Sequence, residues 1–454
     1  MSFAADSKKL FTELKTRLFN DLKEGEELNL NLNAEDTLFV RLNNARVRQN
    51  TEVEQRQIEL VFQKNQKRLT MQTDLTGHLE EDARLCQSLV ARARAETDIL
   101  PEDPGATPFE NRGTSQNIED SREVNFDEIL TTLQKSATGT DFTGLLTAGP
   151  QIRANANNKG QEHWFSTRSF FLDYSLFTVS ESQENKAVKS TYADKEWSTE
   201  KFLTNLTFAK NQLAMLKRPS RDFKPGDTRV YLAPAAAAEL IGMLDWNALS
   251  YGAYKKGQSA FAKMIDQKLK LSPLFSLREN FDLGLTTPFN SLGEVPSRQV
   301  NLIQQGELKQ LLVSTRSAQQ YGTESNFADS NTWGEESPRS LEVLPGQLAT
   351  RDALKQLKNG LYLSNLHYCN WSDLQTARVT GMTRYACFLV ENGEIVAPIK
   401  DLRFDVSLLS IFGAELEALT SESHIEPNTD TYFRRGLGGK KVPGMLINKY
   451  TFTL

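Results

Sequence analysis

The stretch from Tyr385 to Pro398 limits the fold more than any other. Two apolar, β-rich runs, Tyr385 to Val390 and Ile395 to Pro398, flank Glu391-Asn392-Gly393. Asn and Gly tolerate the positive φ of a type I′ turn, whose twist matches that of paired strands, so the segment predicts a tight antiparallel hairpin. Val300 to Gln304 and Glu307 to Ser314 predict a second hairpin around Gln305-Gly306. Thr37 to Leu42, Gln57 to Gln63 and Arg68 to Thr73, joined at Asn43-Asn44 and Lys64-Asn65, read as an antiparallel meander. From Ile152 to about Tyr192 the pattern is again extended.

Helices interrupt these strands in a few places. Leu10, Leu14, Leu18 and Leu22 recur every fourth residue beside Phe11 and Phe19, and Gly25 closes the run. A second helix carries Leu79, Ala83, Cys86, Val90 and Ala93 on one face, which makes Cys86 a small core residue. Asn125 can cap a helix with apolar face Phe126, Ile129, Leu130 and Leu133, and Thr199 to Leu216 is helical in pattern. Strand Arg229 to Ala233 leads through Pro234, at a first helical turn, into AAAAELIGML. The fold class that follows is α+β: a helix-plus-antiparallel-sheet N-terminal region and a strand-rich C-terminal domain.

Breaks divide the chain. Leu100 to Glu123 holds Pro101, Pro104, Pro108, Gly105 and Gly113 and reads as a linker; RPSRDFKPGDTR (residues 218–229) breaks any regular element. At roughly 150 residues per domain, 454 residues suggest two or three, placed at 1–105, 106–225 and 226–454. Hydrophobic content of 39% and charged content of 24% suit a globular protein that buries sizeable cores. A net charge of −5 argues against general nucleic-acid affinity, which needs a basic surplus. Cys86, Cys369 and Cys387 are too few and scattered for a disulfide framework, and the cytoplasm is the default compartment. MSFAADSKKLF lacks the apolar core of a signal peptide, and no run reaches the ~20 apolar residues of a membrane span.

The second half carries a resemblance. GLYLSN (Gly360 to Asn365), Thr380-Gly381 and ENGEIVAPIKDL (Glu391 to Leu402) follow FDLGLTTPFNSLGEVPSRQVNLIQQGELKQLLVSTRSAQQYG and Leu344-Pro345-Gly346. With YLAPAAAAELIGML upstream, the order and spacing of these pieces resemble the TldD/PmbA peptidase family, which also bears the label modulator of DNA gyrase. The match runs from Arg229 to about Phe412. It is looser in the N-terminal half, where RANANNKG is similar to an Asn-rich family turn, and the tail from about Ser421 departs from the pattern.

Catalytic TldD-type members carry His-Glu-x-x-x-His on the helix after the strand and a Cys near the C-terminus, a set that can hold zinc and activate water. Aligning Pro234 with the family proline puts Gly242 and Trp246 at the two His positions and Met243 at the Glu position. LGGKKVPG (Leu437 to Gly444) resembles the Cys-bearing loop, with Gly438 and Gly439 in its place. The resemblance therefore implies a PmbA-like (TldE-like) chain with no catalytic residue and no metal of its own. It implies a TldD-like partner bearing zinc and a joint chamber for unfolded peptides; exposed sheet edges in the strand-rich C-terminal domain could hold an extended peptide by backbone hydrogen bonds. Whether the chain also forms a homodimer is left open, as are two rival functions: an independent hydrolase, and a regulatory protein-binding module.

Other candidates are fewer. Of four histidines no two are four residues apart; His367 with Cys369 is the nearest metal pair, aimed at one face if the strand is regular. Glu162-His163 reads as a strand-end pair, and no Gly-x-Ser-x-Gly occurs. RRGLGGKKVPG, with Arg434, Arg435, Lys440 and Lys441, could cradle a phosphate but reads first as a flexible surface loop, and WFSTRSFFLDYSLF (Trp164 to Phe177) as sheet core before peptide groove.

Overall fold

Leu and Asn alternate from Leu28 to Asn33, which puts apolar side chains on one face of a strand and amides on the other. In the computed structural model, which describes residues 2–119, 124–330 and 334–453, this stretch opens β1 (Glu27–Asn43). β2 (Arg46–Lys64) and β3 (Lys67–Leu75) complete the expected meander with longer strands. β4 (Thr114–Glu119), β5 (Asp141–Asn157), β6 (Glu162–Val179) and β7 (Asn185–Asp194) follow. Among the described residues these form a seven-stranded sheet ordered β3-β2-β1-β5-β6-β4, with β7 also on β6.

Residues 1–105 and 106–225, separated in the sequence reading, thus contribute to one sheet through β1 and β5. The tract read as a linker contains β4, parallel to β6 from Thr114 opposite Glu162 to Glu119 opposite Thr167. Its prolines all precede the paired residues, so the ladder loses no donor to them. The end of that tract, residues 120–123, lies outside the described residues.

Helices cover the apolar face of this sheet. α1 (Phe3–Asn20) and α2 (Leu79–Ile99) bury Leu10, Leu14, Leu18 and Cys86 against Leu28, Leu30, Leu32 and Ile152. α3 (Phe126–Ala137) begins where the Asn125 side chain accepts from the Glu128 N–H, a cap worth about 1 kcal/mol. α3 and α4 (Thr199–Leu216) put Ile129, Leu133, Phe202 and Leu206 into a second cluster with Leu146 and Leu172. β6 is core along most of its length, with Trp164, Phe165, Phe170, Phe171 and Tyr174 buried.

The second sheet begins with β8 (Gly226–Leu232), which leads into α5 (Pro234–Gly242), with Pro234 at its first turn. β9 (Leu277–Asn280), β10 (Gln299–Gln304), β11 (Glu307–Leu308), β12 (Ser340–Val343), β13 (Gly360–Asp373) and β14 (Arg378–Glu391) come next. β15 (Glu394–Pro398), β16 (Arg403–Ser407), β17 (Leu416–Pro427) and β18 (Gly439–Phe452) complete eleven strands among the described residues. β8 pairs with both β13 and β18, so β8-β13-β14-β16-β18 closes into a ring. Closure removes the edges those strands would otherwise expose.

At the hairpin between β14 and β15, Glu391 pairs with Glu394 across Asn392 (φ 53°) and Gly393 (φ 81°), as the sequence predicts. The other hairpin is shorter than expected. After Leu308 the chain turns away and Ser314 caps a short helix, Thr315–Tyr321. Tyr231, Tyr362, Phe388 and Leu446 from the second sheet join Ile129 and Phe202 in one cluster, so the two sheets share a core. At roughly 1.5–3 kcal/mol for each large side chain removed from water, that cluster strongly favours the docked arrangement.

Candidate functional site

The face of the first sheet opposite its helices is polar, because β1 and β5 put their odd-numbered residues there. Asn29 pairs with Asn157, Asn31 with Asn155 and Asn33 with Arg153. Asn155 Nδ2 donates to Asn29 Oδ1 (3.0 Å), to Asn31 Oδ1 (2.7 Å) and across to the Ser291 carbonyl (3.1 Å). Gln161 Nε2 donates to Asn155 Oδ1 (2.6 Å) and to the Leu292 carbonyl (2.8 Å). A Cβ at Gly293 (φ 73°) would stand 1.9 Å from Gln161 Nε2, so only glycine lets the loop approach this closely. The amide network ties the two halves together.

Beside it lies a cavity of about 990 Å³. Asn31, Asn33, Glu59 and Arg153 line it from the first sheet, and Trp246, Asn290, Arg339, Glu426 and residues 427–430 and 434–440 from the second half. RRGLGGKKVPG is therefore a wall of the cavity rather than an exposed loop, and Arg435 is only 1% exposed. Hydrogen bonding explains the difference: Arg435 Nη2 donates to Gln151 Oε1 (2.7 Å) and Ser169 Oγ (2.6 Å), and its backbone N–H to Glu35 Oε2 (2.9 Å).

The residues that the resemblance aligns with a metal site meet in the same place. Trp246, Gly438 and Gly439 line the cavity, whereas Met243 is buried in the core. α5 ends at Gly242 and tightens into a 3₁₀ turn, Met243–Asp245, so Gly242 and Trp246 do not share one continuous α-helical face. Lys440 Nζ lies 3.6 Å from where a Gly242 Cβ would be, and 3.0 Å from Asp245 Oδ2. At Gly438 (φ 97°) a Cβ would meet the Arg339 carbonyl at 2.9 Å, and at Gly439 the Glu426 carbonyl at 2.7 Å. A cysteine fits neither position. These residues do not suit zinc: none of the five is a ligand, and an ammonium group already supplies positive charge beside them.

Two further carboxyls border Lys440. Glu426 is pushed up to about 7 by burial and by Glu239, and burial also raises Glu239. Asp245 is raised by burial, against the opposing pull of Lys440, and its Oδ1 is buried without a partner. The sequence reading missed all three, because Glu239, Asp245 and Glu426 come from different elements and no local spacing connects them.

His367 and Cys369 do not form a regular strand pair. Tyr368 takes φ 53° at a register shift in β13, which breaks the alternation that would aim both at one face. Burial pushes the Cys369 thiol up to about 12. His163 is buried against Phe289, with Nδ1 2.8 Å from Ser115 Oγ, while Glu162 pairs with Lys15. Among the described residues no three His, Cys, Asp or Glu side chains gather as metal ligands would.

A helix-backed sheet docked on a closed strand ring, with a polar cavity between them, is a metallopeptidase-family scaffold by its second half: residues 225–454 match the model of the PmbA/TldA metallopeptidase C-terminal domain. That is more than half of the chain, which belongs to the TldD/PmbA family. Its fold is similar to a proposed modulator of a DNA gyrase from Thermotoga maritima (TM-score 0.76, 16% identity, 98% of this chain and 100% of that one). It is likewise similar to TldE from Thermococcus kodakarensis (0.76, 14%, 99% and 100%) and to a proposed modulator of DNA gyrase from Bacteroides thetaiotaomicron (0.75, 13%, 98% and 98%). At such identities the likeness concerns the fold. No curated protein sequence matches the chain.

Proposed function

We propose that this chain is a non-catalytic partner subunit of a zinc-bearing, TldD-like chain, and that together they enclose a chamber that admits unfolded peptides for degradation or trimming. The observation that carries this reading is the Lys440–Asp245 pair beside Gly242 and Trp246. There Lys440 adds positive charge and holds the Asp245 carboxylate, which does not suit zinc, yet the surrounding cavity is kept. A second feature supports assembly. β3 pairs β2 only from Arg56 to Lys64, so Arg46 to Gln55 form an open, mostly exposed edge suited to an extended peptide or a partner strand. Three free thiols suit a reducing cytoplasm, and among the described residues no helix is long and apolar enough to cross a membrane.

The test is reconstitution with a TldD-like chain at micromolar concentration. Co-elution is expected, with proteolysis of unfolded casein that is lost when the partner's metal-site Glu is replaced while the complex persists. Separate elution, or a partner fully active alone, would overturn the reading.

A further inference from the structure

Charge is balanced at one end of the cavity and not at the other. Lys440 is paired with Asp245, and Arg339 stands 4.0 Å from Asp329. Arg153, Arg434 and Arg435 line the same cavity, and among the described residues none of their guanidinium groups has a carboxylate within 4.0 Å. Arg435 Nη1 is buried with no hydrogen-bond partner although the residue is 1% exposed. Arg434 Nη1 reaches only Gln57 Oε1 (3.2 Å), and Arg153 Nη1 only the carbonyl of Ile152 (2.8 Å).

Negative charge here is outnumbered: Glu35 attracts Arg153 and Arg435 electrostatically but pairs with neither guanidinium. Glu35 accepts from the Arg435 backbone N–H and from Gln55, Glu59 accepts from Asn31, and Asp430 accepts from the Tyr432 N–H. Burial and the neighbouring Arg434 lower the proton affinity of Arg153 to about 9, so the site strains the charge. An unpaired buried charge costs several kcal/mol, and a guanidinium cannot escape by losing its proton at neutral pH. Such a corner is relieved by an anion with planar, paired oxygens.

We propose that Arg153, Arg434 and Arg435 form an anion subsite of the chamber that takes a carboxylate of the bound peptide. The proposal rests on the peptide-chamber reading. The carboxylate comes from the peptide C-terminus or from an acidic side chain, and the adjoining Asn31 and Asn33 amides can hold the peptide backbone beside it.

The test uses fluorescence anisotropy with the full chain and labelled oligoalanine peptides. The arms are a free C-terminal carboxylate, a C-terminal amide, and an amide with one internal Glu. At least tenfold tighter binding of a carboxylate peptide than of the plain amide is expected, and the amide carrying Glu identifies which source is read. Arg153→Gln and Arg434→Gln should erase the preference without lowering the melting temperature of the chain; Arg153→Lys, retaining charge without the paired donors, should keep only part of it. Equal binding of acid and amide peptides would overturn the subsite and leave the chamber reading intact. Acetate that raises the wild-type melting temperature but not that of Arg153→Gln, with no peptide binding, would keep the anion site and sink the peptide reading. Neither response would sink both.

Discussion

The two ends of the cavity solve the problem of buried charge in opposite ways. Near α5, Lys440 sits against Asp245, so that end carries its own counter-charge. At the β1–β5 end three guanidiniums meet with hydrogen bonds to neutral groups only. The first end is complete without a ligand; the second would be completed by the proposed carboxylate. On the proposed reading, the first end no longer breaks bonds and the second holds the peptide.

The largest effect should come from forcing a ligand back into the first end. Gly438→Cys puts a side chain at φ 97° and against the Arg339 carbonyl, for which about 2–4 kcal/mol of destabilisation is expected. A melting temperature within a degree or two of wild type would show that the wall can yield. Lys440→Met should cost less, about 1–2 kcal/mol at neutral pH, by leaving the Asp245 carboxylate unpaired. The deficit should shrink on acidification as Asp245 takes up a proton, and Lys440→Met/Asp245→Asn should recover most of it. An additive double-mutant cycle in chemical denaturation would mean that the pair contributes nothing.

Glu426 gives a pH signature to the same end. Its folded value of about 7 exceeds the ordinary 4.5, so between these values the folded state holds more protons than the unfolded state. Stability therefore falls as pH rises through that window and levels off above it, by about 2 kcal/mol after allowance for solvent screening. Glu239, Asp173 and Lys189 surround the group and set the midpoint. Glu426→Gln should flatten the profile between pH 5 and 8 and leave the variant the more stable at pH 8; an unchanged slope would place the titration elsewhere. The smallest change is expected at the other end, where Arg434→Gln removes a like charge and should shift stability by under about 0.5 kcal/mol. A loss above 2 kcal/mol would mean that this end, too, is internally compensated.

Local chemistry made much of the fold legible. Asn392-Gly393 fixed a hairpin, Asn125 a cap, and the period of Thr199 to Leu216 a helix with those ends. Pairings between distant segments left no such trace. Nothing near Gly226–Leu232 announces that it meets both β13 and β18 to close a ring, and β4 emerges from a tract that its prolines marked as irregular. The site was half visible. Resemblance points to Gly242, Trp246, Gly438 and Gly439, but the sequence offers their neighbour Lys440 only as charge on a flexible or phosphate-cradling loop, not as the partner of Asp245. The Leu-Asn alternation of β1 and the Ala-Asn alternation of β5 could have announced one apolar and one amide face; read together, they would have placed Arg153 on the polar one.

Metal stoichiometry tests the central claim most directly. Elemental analysis of the purified chain, alone and in complex with a TldD-like partner, should find no bound zinc alone and, in the complex, only the zinc that the partner holds by itself. Gly242→His/Trp246→His should not change either value, because the α-helix ends between the two positions and Lys440 stands beside them. One tightly held zinc per chain in the isolated protein, or twice the partner's zinc in the complex, would contradict the account.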